Sequence, residues 1–337
     1  MAKIAINGFG RIGRLFFRQA WDSDEIEIAA INDLGSPEQL SYFLKYDTVY
    51  GIFKDEVNYG DDYISINGDK IPFHQVKNPS DLPWDDLDID VVVEATGVFT
   101  EYDKAKMHLE AGAKKVVITA PADDKADAGK TILMGINEGD LEKFNLSSNG
   151  SCTTNAAAPL IQILNKKPGI EKAILNTVHG YTASQNLVDS TINSSKLRRG
   201  RAAAQNIVPS STGSAVAVGR AIPEMIDRFD GIAMRVPVVA GSIADITFIS
   251  KKNTTVEEVN SILKEAAKED RWKKVFKVTE DPIVSSDIIG EPYGAIADLS
   301  FTRVVDGNLV KVLSWYDNEF GYVSTLVNHV ENVTYLI

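Results

Sequence analysis

Apolar side chains run along this chain in two rhythms. In the first half they come as short unbroken runs alternating with stretches of helical spacing. Lys3 to Asn7 is one such run, a short buried strand, and it opens directly into Gly8-Phe9-Gly10-Arg11-Ile12-Gly13. Ile12, Leu15, Phe16 and Ala20 then recur at the spacing of one helix face. Glu25 to Asn32 reads as a second strand that stops at Asp33, completing a βαβ unit. Further strands of parallel-sheet type are predicted over 91–94, 115–119 and 131–134, with a helix from Lys104 to Ala111 closed by Gly112. Strands alternating with helices predict a Rossmann-type, doubly wound α/β domain over residues 1–151.

The second half changes texture. Residues 232–250 contain alternating stretches in which Ile243, Asp245 and Thr247 oppose Ala244, Ile246 and Phe248. Leu299 to Val304 and Leu309 to Trp315 flank Asp306-Gly307-Asn308, a strong hairpin signal. Thr255 with Glu258 three residues on has the form of a capping box opening a helix to about Glu269. An α+β domain with a mostly antiparallel sheet is therefore expected over 152–317. Helical spacing returns from Glu319, and a final helix over 318–337 is expected to pack back on the first domain.

Composition narrows the class. At 337 residues the chain is long for a single core. Its 44% hydrophobic content excludes intrinsic disorder. A net charge of −12 repels a phosphate backbone at long range, which argues against nucleic acid as the main partner. It leaves room for a small phosphorylated substrate, because a local cluster of donors outweighs a distant net charge. No apolar run reaches the ~18 residues that cross a bilayer, and the opening Met-Ala-Lys-Ile already reads as strand rather than leader. With Cys152 the lone cysteine, no internal disulfide can form. A reduced, cytoplasmic setting is the expectation, and no metal is called for.

Four constellations carry candidate chemistry. Gly8, Gly10 and Gly13 lie between a strand and a helix, with Asp33 twenty residues beyond. That is the context of a dinucleotide site: the glycines allow close backbone approach, the helix N-terminus faces the pyrophosphate, and the acid takes the ribose hydroxyls. A carboxylate there also repels a 2′-phosphate, favouring NAD. Cys152, in Ser151-Cys152-Thr153-Thr154-Asn155, falls at a helix start, where the dipole favours thiolate; a lone cysteine also serves as a small buried hydrophobe. His179 ends a strand 27 residues later and either pairs with the thiol as a base or packs. His74, His108 and His329 read as surface or packing residues. Thr182, the run Ser210-Ser211-Thr212-Gly213, and Arg235 suit an anion, or in part merely cap a helix. Arg198, Arg199 and Arg201 read as a surface run.

Taken together, Ala5 to Arg14, Ser151 to Asn155 and Trp315-Tyr316-Asp317-Asn318-Glu319 closely resemble the phosphorylating glyceraldehyde-3-phosphate dehydrogenases. Leu44 to Asp47, Glu94-Ala95-Thr96-Gly97, Gly112 to Val116 and Met234 to Pro237 extend the likeness essentially end to end. The resemblance implies Cys152 as nucleophile and His179 as base, acting on glyceraldehyde 3-phosphate with inorganic phosphate as acyl acceptor. It implies two anion sites, one of Thr182 with Arg235, the other of Ser151, Thr153, Thr212 and Gly213. Cofactor contacts would come from Arg11, Ile12, Asp33, Lys77, Thr119 and Asn318, and the assembly would be a homotetramer. A sister enzyme using erythrose 4-phosphate and water, and a silent NAD-binding scaffold, are the alternatives. Two departures stand out: Ala156 replaces a second cysteine found in many relatives, and the loop Ser190 to Lys196 is longer than usual and lacks a common proline.

Overall fold

The computed structural model describes residues 1–122, 128–192 and 196–337. Contacts divide the chain into two compact units, one of residues 1–150 with 326–337 and one of residues 151–325.

The first unit opens with β1 (Ala2–Asn7), α1 (Arg11–Ala20), β2 (Ile26–Asn32) and α2 (Pro37–Lys45). A ribbon of β3 (Tyr46–Asp47) and β4 (Gly51–Ile52) follows, then β5 (Val57–Tyr59), β6 (Tyr63–Ile66), β7 (Asp69–His74) and β8 (Val91–Glu94). Two four-residue turns of helix, α3 (Tyr102–Ala105) and α4 (Met107–Glu110), precede β9 (Lys115–Ile118), β10 (Lys130–Thr131) and β11 (Leu146–Ser148). The strands order as β10-β11-β9-β8-β1-β2-β7-β6-β5, parallel except for β7-β6-β5. Chain order reverses between β1 and β8, which marks a topological switch point. The unbroken apolar strands are buried because both faces of a parallel sheet are covered: Ile4, Ile6, Val91, Val93, Val116 and Val117 are wholly inaccessible.

Two expected elements come out shorter. Only Lys130–Thr131 of the 131–134 segment pairs as strand. The Asn137 side chain accepts from Leu133 N (2.9 Å) and donates to Thr131 O (3.0 Å), taking bonds a longer ladder would have used. The helix expected over 104–111 is broken at Lys106 into α3 and α4, although Tyr102, Ala105 and His108 form the buried face.

The second unit is built on α5 (Cys152–Lys166), β12 (Ile170–Gly180), β13 (Val208–Ser211), α6 (Ser214–Ala221), β14 (Phe229–Val236), β15 (Ser242–Ser250), α7 (Val256–Ala266), β16 (Phe276–Thr279), β17 (Ala295–Val305) and β18 (Leu309–Tyr316). The sheet runs β13-β14-β12-β15-β18-β17-β16, antiparallel except for the pairs β12/β14 and β16/β17. β15 alternates strictly between buried and half-buried residues, as one covered face requires. The β17–β18 hairpin turns at Asp306 (φ 48°) and Gly307 (φ 73°), the left-handed pair a tight hairpin demands. Thr255 caps α7 by accepting from Glu258 N. The last helix, α8 (Phe320–Thr334), has its first residues in this unit and its residues from Leu326 in the first.

Candidate active site

In the first unit, a cavity of about 650 Å³ opens beyond the carboxyl ends of β1 and β8. Asn7, Gly8, Gly10, Asp33, Lys77 and Thr96 are among the residues lining it. The glycines differ in what they permit. A Cβ on Gly8 (φ 97°) would lie 2.5 Å from Thr96 N, and one on Gly13 would lie 2.1 Å from Gly8 O. Both positions are closed to any side chain by backbone packed against backbone. At Gly10, the N-cap of α1, a Cβ would meet nothing within 4 Å. A side chain there would enter the cavity at the positive end of the helix, where a pyrophosphate needs the space.

Asp33 is fixed by main chain: Oδ2 accepts from Phe9 N (2.7 Å) and Oδ1 from Gly35 N (2.8 Å). Its carboxylate therefore faces the cavity in a set orientation, with Leu34, Pro79, Val98 and Phe99 offering apolar walls for a flat ring. The donor set fits a dinucleotide. Lys77 lies on the rim, exposed, while Ile12 and Thr119 are half-buried, Thr119 N donating to Glu94 O (3.0 Å). The Arg11 guanidinium is held in an ion pair by Asp47.

In the second unit, Ser151 caps α5 and makes Cys152 its first residue. Ser151 Oγ accepts from Thr154 N (3.1 Å) while Thr154 Oγ accepts from Ser151 N (3.2 Å), a reciprocal capping box. Cys152 Sγ stands 3.4 Å from His179 Nε2. The strand pairing explains the next neighbour: β12 and β14 run parallel with His179 directly opposite Arg235. Arg235 Nη1 lies 2.5 Å from His179 Nδ1, and Gly180 O accepts from both, at 3.2 and 2.6 Å. In the tautomer with its hydrogen on Nδ1, directed at that carbonyl, the Nε2 lone pair faces the thiol.

Desolvation works against the expected thiolate here. Burial pushes the Cys152 thiol up, and the Arg235 charge and the Thr153 bonds only partly offset it. Helix-start position alone does not produce a resting thiolate. Burial, then the Arg235 charge, pushes His179 down to about 3. The resting pair is a thiol beside a neutral imidazole, which is the form a base must have.

A chain of hydroxyls leads away from the start of α5. Ser151 Oγ is 2.9 Å from Ser214 Oγ, which is 2.7 Å from Thr212 Oγ. Gly213 is the N-cap of α6, with open space where its side chain would be. Thr182 Oγ meets Ser184 Oγ (2.9 Å). Arg235 Nε is buried with no hydrogen-bond partner among the described residues. Asn318 is buried and accepts from Ser242 Oγ (2.8 Å).

Two contributors escape the sequence reading. Arg199, read there as surface charge, lays Nε and Nη2 on Ser210 Oγ (3.1 Å each) and Nη1 on Ser184 Oγ (3.1 Å). Burial and the neighbouring Arg235 charge lower its proton affinity. Tyr316 OH bridges Thr153 Oγ (2.8 Å) and Thr177 Oγ (2.7 Å), tying the start of α5 to β12, and its ring packs edge-on against His179. Its place inside a motif was visible; its bonds were not. Of the loop from Ser190 to Lys196, residues 193–195 lie outside the described residues.

Comparison with known proteins bears on both units. Residues 2–102 match the family model of the glyceraldehyde 3-phosphate dehydrogenase NAD binding domain, and residues 151–318 match that of the C-terminal domain. A glyceraldehyde-3-phosphate dehydrogenase of Clostridium acetobutylicum is 46% identical over 331 residues, covering 97% of each chain. The enzyme of that name from Clostridium pasteurianum is 45% identical over 98% of each chain. Glyceraldehyde-3-phosphate dehydrogenase 2 of Streptomyces avermitilis is 44% identical over 97% of this chain and 96% of its own. With a glycine cradle and fixed acid in one unit, a thiol–imidazole pair in the other, and identity near one half throughout, the chain belongs to the glyceraldehyde-3-phosphate dehydrogenase family.

Proposed function

We propose that this chain oxidises glyceraldehyde 3-phosphate with NAD and transfers the acyl group to inorganic phosphate, giving 1,3-bisphosphoglycerate. The observation that carries the reading is the 3.4 Å approach of Cys152 Sγ to His179 Nε2, with Arg235 opposite the imidazole.

The neutral imidazole takes the thiol proton at Nε2 as sulfur attacks the aldehyde carbon and passes it to the carbonyl oxygen, so a thiohemiacetal forms and the imidazole is neutral again. Because burial holds the thiol up, the proton moves on attack rather than beforehand. His179 then accepts the hydroxyl proton of the adduct as the C–H bond breaks. Gly8, Gly10, Gly13, Asp33 and their neighbours would hold NAD, which would serve as hydride acceptor and leave a thioester on Cys152. Phosphate oxygen attacks that carbonyl, the C–S bond breaks, and the thiolate is reprotonated from the imidazole.

Two anions need two sets of donors. Arg235 with Thr182, joined by Arg199, suits one. The buried Nε of Arg235, without a partner among the described residues, is a donor that a bound anion would satisfy, and leaving it unpaired costs about 1–3 kcal/mol. Ser151, Thr153, Thr212 and the open N-cap at Gly213 suit the other. A homotetramer in the cytoplasm belongs to the same proposal; among the described residues no helix is long and apolar enough to cross a membrane.

Absorbance of reduced cofactor, followed with glyceraldehyde 3-phosphate and NAD, tests the reading. Turnover should require phosphate, and without it should stop after one equivalent per Cys152. Steady turnover without phosphate would make water the acceptor and point to the erythrose 4-phosphate enzyme; no reduction at all would leave the NAD-binding scaffold.

A further inference from the structure

Below the cavity of the first unit runs a buried polar chain that no step of the proposed reaction uses. Its hub is Glu94, at the end of β8 and 1% exposed. Oε2 accepts from Asn7 Nδ2 (2.5 Å) and faces His108 Nε2 (3.0 Å). Oε1 accepts from Thr96 N (2.9 Å) and from Thr96 Oγ. His108, fully buried, has Nδ1 3.0 Å from Trp84 Nε1. An indole N–H can only donate, so Nδ1 is the acceptor and the ring hydrogen sits on Nε2, directed at Glu94. Four donors thus converge on one side chain, and only a carboxylate can accept from all of them.

The chain continues into the cavity walls. Asn7 Oδ1 accepts from Asn32 Nδ2 (2.7 Å). Asn32 in turn holds Val76 by both its N–H (2.9 Å) and its carbonyl (3.0 Å). Asn7, Asn32, Val76 and Thr96 all line the cavity. Gly8 also rests its backbone on Thr96, so the phosphate-facing loop and the Thr96 wall share one support.

We propose that Glu94, oriented by His108 and Trp84, is a positioning residue that sets the walls of the cofactor cavity and thereby its affinity for NAD. The proposal rests on the reading of this cavity as the NAD site. Glu94→Gln keeps the volume but turns an NH₂ toward donors, so the walls must shift.

Binding of NAD, and of ADP as a probe of the adenosine and pyrophosphate half, is measured on the full-length chain well below its melting temperature. Glu94→Gln should raise both dissociation constants about 10-fold or more, the loss of a charge-assisted bond. The alkylation rate of Cys152 in the other unit serves as a folding control and should stay close to that of the parent. His108→Leu strands both Trp84 and Glu94 and should act like Glu94→Gln; His108→Gln keeps one donor and one acceptor and should restore most of the affinity. If Glu94→Gln does not fold, the two His108 variants decide. A lower melting temperature with unchanged dissociation constants overturns the proposal, as does a His108→Gln variant that binds no better than His108→Leu. Failure of the parent chain to bind NAD would instead overturn the cavity reading itself.

Discussion

His179 and His329 sit in different units but in matching circumstances. They are 2% and 0% exposed, and both imidazoles are pushed down to about 3. For His329 the cause is burial alone; for His179 burial is joined by the charges of Arg235 and Arg199. Their neighbours differ more. His329 lies between Ser147 Oγ (2.9 Å) and Asn149 Oδ1 (3.1 Å), a closed set of hydroxyl and amide. His179 lies between the Cys152 thiol and the Arg235 guanidinium. A low proton affinity therefore does not pick out a reactive histidine. It marks any imidazole kept neutral by its surroundings, and the partner across the hydrogen bond decides what neutrality is for.

The sharpest test of that contrast is to remove each ring. His179→Asn should lower kcat by about 10²–10⁴, the usual share of a general base. His329→Gln should leave kcat within about twofold, because loss of packing acts on stability rather than on the reacting atoms. A His329 variant as impaired as the His179 variant would erase the distinction.

Acid should expose the stability that both rings carry. Each is neutral when folded and takes a proton near pH 6.5 when unfolded, so its contribution is full above that pH and is lost as pH falls toward 3. His329→Gln should be less stable than the parent at pH 7. By pH 5 the gap should narrow by about 2 kcal/mol, read from equilibrium unfolding at the two values. A constant gap would mean that His329 titrates alike folded and unfolded.

A smaller effect separates burial from charge. Arg235→Gln removes a cation that raises thiolate character at Cys152 and opposes protonation of His179. Both groups should then titrate at higher pH, and alkylation of Cys152 at neutral pH should slow by about 2–5-fold. Unchanged alkylation would leave burial and the Thr153 bonds as the influences on the thiol.

Local chemistry made much of this molecule readable. Ser151 and Thr255 announce helix starts because a hydroxyl there satisfies an otherwise unpaired N–H. Asp306-Gly307 announces a hairpin because few residues tolerate left-handed backbone. β1 and β2 were readable as buried runs, and Asp33 was findable because the acid follows the second strand of the βαβ unit. Arg199 was not: its meaning comes from Ser210 and Ser184, brought to it by the path of the chain. Cys152 follows the same rule, since a helix start is visible in sequence and the desolvation that opposes a thiolate there is not. His108 looked like ordinary packing because its partners, Glu94 and Trp84, lie 14 and 24 residues away.

The parallel pairing of β12 with β14 has a consequence in time as well as in space. Parallel neighbours cannot be joined by a hairpin, so the chain must travel the whole span from Gly180 to Phe229 before Arg235 can meet His179. Thr182, Arg199 and Thr212 all ride on that excursion. Closing so long a detour is entropically slow compared with winding α5 or folding the β17–β18 hairpin. A refolding chain is therefore expected to regain its helical signal first and its activity last, with Arg235 set beside His179 only when the returning strand has docked.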